Sequence, residues 1–359
     1  MDFPDTNNDM KLAMEKLEAQ TRLAAATTPD RLCENWRFGR PHKHAAALVE
    51  LLAEKSVASQ GTVSIQDPSG CTDKLDKEDA DSELLMSTIG SDKILALHHA
   101  RFGKGAVVFA EGEIAEPVII TYETDTLFTP TTLIMAAPGA KVRVIERHIT
   151  HGEGVMVCTR LIQAAEGAQV SVELEEVGSG SSRAMNITNM AANQATVRHL
   201  TTHNNHAWAR EETIAEMMQG ADVKLFSANR LQGDQVLDQH TRQEHVCSES
   251  ASDLLYKNVI DGKATAIFAC NIYVAPGAHN TDAYQSNRNM LLSEKATVHS
   301  LPGLEILADK VRCSHGSASS PMDEEQLFYL LSRGIPRHDA QLLVAEGFLA
   351  DALDRFKGE

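Results

Sequence analysis

Lys141-Val142-Arg143-Val144-Ile145-Glu146-Arg147-His148-Ile149 alternates apolar with charged residues, breaks at His151-Gly152-Glu153-Gly154, and resumes as Val155-Met156-Val157-Cys158-Thr159-Arg160-Leu161-Ile162. Alternation with period two sets successive side chains on opposite faces of a strand, and glycine at the break suits a turn residue with positive φ. The pattern returns in Val170-Ser171-Val172-Glu173-Leu174-Glu175, with Gly178 and Gly180 behind it and Asn204-Asn205 one unit further on. A short phrase opens each unit: Gly139-Ala140-Lys141-Val142, Gly167-Ala168-Gln169-Val170, Gln194-Ala195-Thr196-Val197 and Gly220-Ala221-Asp222-Val223. Later copies read Lys263-Ala264-Thr265-Ala266 and Lys295-Ala296-Thr297-Val298, and the alanine steps are 28, 27, 26, 43 and 32 residues.

Two strands and two turns in a repeat of about 27 residues, with no helix between, is how a parallel β-solenoid looks in sequence. One unit cannot bury its inner face alone. Six stacked in register can, with small alanines at corners where coils approach closely. A Greek-key sandwich would show similar strands, but its turns need not repeat one phrase, so the solenoid is the favoured reading.

The ends differ in kind. From Asn8 to Glu54, Met10, Leu12, Met14, Leu17 and Leu23, and later Ala45, Leu48, Leu51 and Leu52, recur at helical steps. Gln60 to Glu83, with Asp67-Pro68-Ser69-Gly70 and the charge run Asp73 to Asp79, reads as a solvated loop or linker. After Ser320, Asp323-Glu324-Glu325 opens a helix with the stripe Leu327, Phe328, Leu330 and Leu331 and the stop Gly334. Pro336 opens a second, through Leu343, Val344, Phe348, Leu349 and Leu353. The expectation is a mainly β protein: a right-handed parallel β-helix over 90–320, an N-terminal helical segment over 1–59, an acidic linker over 60–89, and a C-terminal helical pair over 321–359. That pair reads either as a cap on the open end of the array or as a docking module for another protein.

With 33 Lys+Arg against 50 Asp+Glu, the formal charge of −17 repels a phosphate backbone, and no basic stripe offsets it, so nucleic-acid binding is excluded. No run reaches the ~18 apolar residues of a membrane span, and the polar, acidic start predicts neither export signal nor membrane anchor. Cysteines 33, 71, 158, 247, 270 and 313 form no CxxC pair, which points to reduced thiols and a cytoplasmic chain.

Motifs for phosphate, dinucleotide or acyl-transfer chemistry are missing, so no catalytic residue is expected and the chain should not hydrolyse ATP by itself. His199, His203 and His206 look metal-like, but they lack the acid of HExxH and the helix that would align them; they read as structural or exposed. His240 and His245 read as surface residues or hydrogen-bonding residues between coils. In Cys313-Ser314-His315-Gly316, strand parity turns thiol and imidazole to one side, which makes half of a tetrahedral iron or zinc site. Spacing alone favours a buried cysteine beside a packed histidine, because half a site needs completion from elsewhere, such as another subunit.

The C-terminal third carries a resemblance. Thr281-Asp282-Ala283-Tyr284-Gln285-Ser286-Asn287-Arg288-Asn289, Leu291-Leu292-Ser293-Glu294, Leu304-Glu305-Ile306, Cys313-Ser314-His315-Gly316, and Phe328-Tyr329-Leu330 with Ser332-Arg333-Gly334-Ile335 occur in that order. Together they closely resemble the SufB/SufD family of iron–sulfur cluster assembly proteins, and Glu34-Asn35-Trp36-Arg37-Phe38 resembles that family's N-terminal motif. The His-Gly form of the Cys-His motif is similar to the SufD branch. The resemblance implies a non-catalytic scaffold that pairs with a SufB-like paralogue through the β-helix and docks a SufC-like ATPase through its C-terminal helices. Leu327, Phe328, Leu330, Arg333, Gly334, Ile335 and Phe348 would be the docking residues. ATP-driven closure of the ATPase pair would pull on those helices and shift the two solenoids. It also implies a transient cluster or iron at the paralogue interface, none being held stably by the chain alone, with His315 as a candidate ligand and Cys313 beside it. That supplies the missing half-site and favours His315 as a ligand. Two other classes stay open: a β-helix carbohydrate-active enzyme, which wants a lateral groove of Asp, Arg and aromatic residues, and a metal-free homodimeric structural protein.

Overall fold

The computed structural model describes residues 51, 59–76 and 104–358. The N-terminal helical segment, Leu51 and Ser59 apart, the Trp36 motif and residues 77–103 lie outside the described residues. Nineteen strands and two complete helices follow one another among those described. The strands before the regular array are β1 (Thr62–Gln66), β2 (Thr72–Asp76), β3 (Lys104–Ala110), β4 (Val118–Thr124), β5 (Leu127–Phe128) and β6 (Thr131–Ala136). Then come β7 (Lys141–Thr150), β8 (Val155–Ala164), β9 (Gln169–Gly178), β10 (Arg183–Ala192), β11 (Thr196–Asn204), β12 (Trp208–Met217) and β13 (Asp222–Leu231). The array ends with β14 (Val236–His245), β15 (Ala251–Ile260), β16 (Thr265–Val274), β17 (Asp282–Leu291), β18 (Thr297–Ile306) and β19 (Arg312–Pro321), followed by α1 (Glu324–Ser332) and α2 (Arg337–Lys357). Neither helix is long and apolar enough to cross a membrane.

The strands stack into two sheets of a parallel β-solenoid. One runs β1-β4-β7-β9-β11-β13-β15-β17-β19 and the other β18-β16-β14-β12-β10-β8-β6-β3-β2. From β6 onward consecutive strands alternate between sheets, so each coil gives one strand to each. Register is one to one, as in Val142↔Val170, Val170↔Val197 and Val197↔Val223, and these valines are buried. The opening alanines Ala140, Ala168, Ala195 and Ala221 sit at one corner of the nine-stranded sheet, none more than 4 % exposed. Ala264 and Ala296 precede strands of the other sheet, so the 43-residue step is a change of sheet. At the original corner the stack continues with buried Ser250 and Thr281.

Two expectations need correction. The supposed linker carries β1 and β2, which pair antiparallel with β4 and β3 and so start the two sheets. Asp67 makes the link between them: its carboxylate accepts from the Ser69 and Thr72 backbone N–H groups, at 3.0 and 2.8 Å, and from both hydroxyls. Only Gly152 and Gly180 of the four break glycines, with Asn205, have positive φ. Gly178 is there for space, since a Cβ would fall 2.5 Å from His206 Nδ1.

The helical pair does not cap the array. It lies along the outer face of the nine-stranded sheet, where Leu200, Phe226 and Leu255 meet Ala352 and Phe356, and Val259 and Met290 meet Leu327, Ala340 and Ala345. Asp323 caps α1 by accepting from the Glu325 and Gln326 backbone N–H groups, and Gly334, at φ 82°, follows its C-cap. The last coil, β18 and β19, stays largely exposed.

Candidate functional site

β19 is the terminal strand of one sheet and β18 of the other. Cys313, His315 and Ser317 are in register with Ala283, Gln285 and Asn287 of β17, whose side chains are buried in the lumen. Strand parity therefore turns thiol and imidazole to the same, inner side, as spacing predicts. One coil further out, however, none of the described residues covers them fully. Cys313 is half-buried against Val274, Ala278, Ala283 and Val311, and burial, with Asp282 nearby, pushes its thiol up. His315 is exposed, which corrects the packed histidine of the spacing argument. Ser317 Oγ and Ser300 Oγ, 2.8 Å apart, tie the two end strands across the opening.

Behind this patch the lumen is polar. Asn229, Asn258 and Asn289 are stacked in register and linked side chain to side chain at 2.8 and 3.0 Å. Asn289 then donates to Asn287 Oδ1 and to Ser319 Oγ of the last strand. At the other end of this ladder, Asn229 donates to Ser227 Oγ. Next comes Glu211, whose carboxylate accepts from Thr201, His203, Thr213, Gln239 and Tyr256. Burial opposes its charge, but these donors, His203 foremost, lower it to about 2. Deeper still, Glu146, His148, Cys158, Arg160 and Glu176 form a second buried network.

His199, His203 and His206 are therefore buried lumen residues, and His245 is buried too, with its ring nitrogens on Ser250 and Ser252. His240 is half-buried against Asp238. Cys270 is a lumen thiol that burial pushes up to about 12. On the helical pair, Phe328 is 72 % exposed and Tyr329 and Leu343 are exposed too, whereas Leu327 is buried against the sheet. Leu330, Ile335 and Phe348 are half-buried, Arg333 and Gly334 are exposed, and Lys257 Nζ lies 4.6 Å from the Phe348 ring centre. The polar lumen matches no chemical motif in the sequence. Its signal was parity: Glu146 and His148 share the inward phase of Val142 and Val144, and Glu176 that of Val170 and Val172.

A two-sheet solenoid whose last coil carries Cys-x-His on its inner side defines a class. The family model described as SUF system FeS cluster assembly, SufBD core domain, matches residues 119–348, more than half of the chain, and the chain belongs to that family. Among its relatives it is most like SufD in kind. It is 39 % identical over 126 residues to the iron-sulfur cluster assembly protein SufD of Escherichia coli strain K12, covering 35 % of this chain and 30 % of that protein. It is 34 % identical over 142 residues to the iron-sulfur cluster assembly SufBD family protein slr0076 of Synechocystis, covering 40 % and 31 %. To SufD of Bacillus subtilis strain 168 it is 35 % identical over 133 residues, covering 37 % and 30 %. The matched stretch thus spans about a third of the length of each relative.

Proposed function

We propose that the chain is a non-catalytic, SufD-like scaffold subunit that pairs with a SufB-like paralogue and, through α1 and α2, docks a SufC-like ATPase, so that iron–sulfur clusters are built at the paralogue interface. One observation carries this reading: among the described residues the last coil ends in two adjacent sheet edges with no further strand on them, and Cys313 and His315 are turned inward beside them. Free edges are templates for a further chain. A thiol and an imidazole are half of an iron-holding set, which a second chain completes. The nascent cluster is cargo here. Tyr329 and Leu343 line a groove with the half-buried Leu330 and Phe348, and Phe328 is exposed on the same helix as Tyr329, which suits a protein partner. The five described cysteines are all unpaired, in keeping with a reducing compartment such as the cytoplasm.

The test is co-expression with a SufB-like paralogue and a SufC-like ATPase, followed by anaerobic iron and sulfide analysis. His315→Ala should leave the complex intact and lower cluster yield severalfold. Unchanged yield removes His315 from the chemistry, and failure of the wild-type chain to co-purify with either partner overturns the scaffold reading.

A further inference from the structure

Far from the open end, four consecutive strands turn chemically dissimilar side chains toward one point of the lumen. β7 supplies Glu146 and His148, β8 Cys158 and Arg160, β9 Glu176 and β10 Asn186. Glu146 Oε1 is the meeting place, with His148 Nε2 at 2.6 Å and Cys158 Sγ at 3.6 Å. Ligand atoms of these three residues all lie within 4.8 Å of one another, and the side chains are wholly buried. We propose that Glu146, His148 and Cys158 form a binding site for one divalent cation of the Zn²⁺ or Fe²⁺ class, separate from the end-coil patch.

The donor set selects the class. Sulfur, imidazole nitrogen and a single carboxylate suit borderline transition metals, whereas Mg²⁺ and Ca²⁺ take oxygen almost exclusively. The surroundings are arranged as around bound metals. His148 Nδ1 meets Glu176, a carboxylate–histidine pair that fixes the ring with Nε2 toward the site. Glu176 is itself held by Asn186 Nδ2 at 2.7 Å, with His206 Nε2 3.1 Å from its other carboxylate oxygen. Arg160 donates to Glu146 Oε2 through Nε at 3.0 Å, also reaches Oε1, and is anchored to Thr188 through Nη1 at 2.9 Å. It steadies the carboxylate from its other side as well as at Oε1.

A cation of this class is held by a thiolate and by an imidazole lone pair, so it takes the place of the Cys158 thiol proton and of any proton on His148 Nε2.

Because the three residues are sealed in the lumen, the ion enters while the coils close, and the test supplies it then. The full chain is expressed in minimal medium with Co²⁺, washed with chelator and gel-filtered. One cobalt per chain is expected, with a near-ultraviolet thiolate-to-cobalt band and a sulfur neighbour at about 2.3 Å by X-ray absorption. Cys158→Ser should lose the band. Glu176→Gln should keep it but weaken retention by about 10–100-fold. The double variant Cys313→Ser with His315→Ala should behave like wild type, and this holds as a test even if Cys158→Ser does not fold. Substoichiometric cobalt in wild type, no sulfur neighbour, or loss of the band in the end-coil double variant overturns the site. None of these readouts depends on cluster assembly.

Discussion

His199 is wholly buried, and among the described residues neither ring nitrogen has a hydrogen-bond partner. Burial, reinforced by Arg160, lowers its pKa to about 4, so it is neutral in the folded chain. The unfolded chain takes up that proton near pH 6.5. Between these values the unfolded state binds more protons, so stability is full above about pH 6.5 and falls as pH drops toward 4. His245, also brought to about 4 by burial, acts in the same direction. His199→Leu removes one of these terms. Urea unfolding at pH 7 should change little, while the loss between pH 6.5 and 4 should shrink by on the order of 2–3 kcal/mol. Equal losses in the two chains would show that His199 is not part of the acid response. Parity made such residues readable as inward-facing. What they touch was not readable, because their partners come from coils 26 to 28 residues away, as with Thr201–Ser227 and Glu211–Gln239.

At the scale of elements, the start and stop of α1 were written in Asp323 and Gly334. Asp323→Ala should cost about 1 kcal/mol, confined to the helical pair and visible as faster amide exchange there. The location of the pair was not written, since an apolar stripe says that a face is covered and not by what. Phe356, edge-on to Phe226 with ring centres 6.1 Å apart, fixes the far end of α2. Phe356→Ala should cost about 3 kcal/mol and free the last turns of α2 while the solenoid stays folded, which exchange measurements resolve residue by residue. An unchanged exchange profile would mean that α2 is held mainly elsewhere, for instance by Lys257 on the Phe348 carbonyl and Asp351. β1 and β2 escaped sequence reading for another reason. They are short and polar, and they join the sheets antiparallel, outside the repeat.

The described residues form a stack with one flank covered by the helical pair and one end left open. The fold was legible because four successive coils repeat a corner alanine, Ala140, Ala168, Ala195 and Ala221, and keep one inward phase. The end patch was legible only through the resemblance, since Cys-x-His by itself fixes parity but not exposure. If the free edges are where a second chain joins, two lysines on the terminal strand, Ser314→Lys with Ala318→Lys, should block association. Light scattering with the SufB-like paralogue should then find separate chains of normal helix and strand content. A complex of wild-type strength would place the joint elsewhere.

The long C-terminal helix touches β11, β13 and β15 in turn. It works as a brace riveted to three storeys of the tower. A mechanical load applied through it is shared among those storeys and does not unzip the topmost one. Whatever tugs there therefore tilts the tower as a unit, and the uncovered storey moves with its geometry preserved.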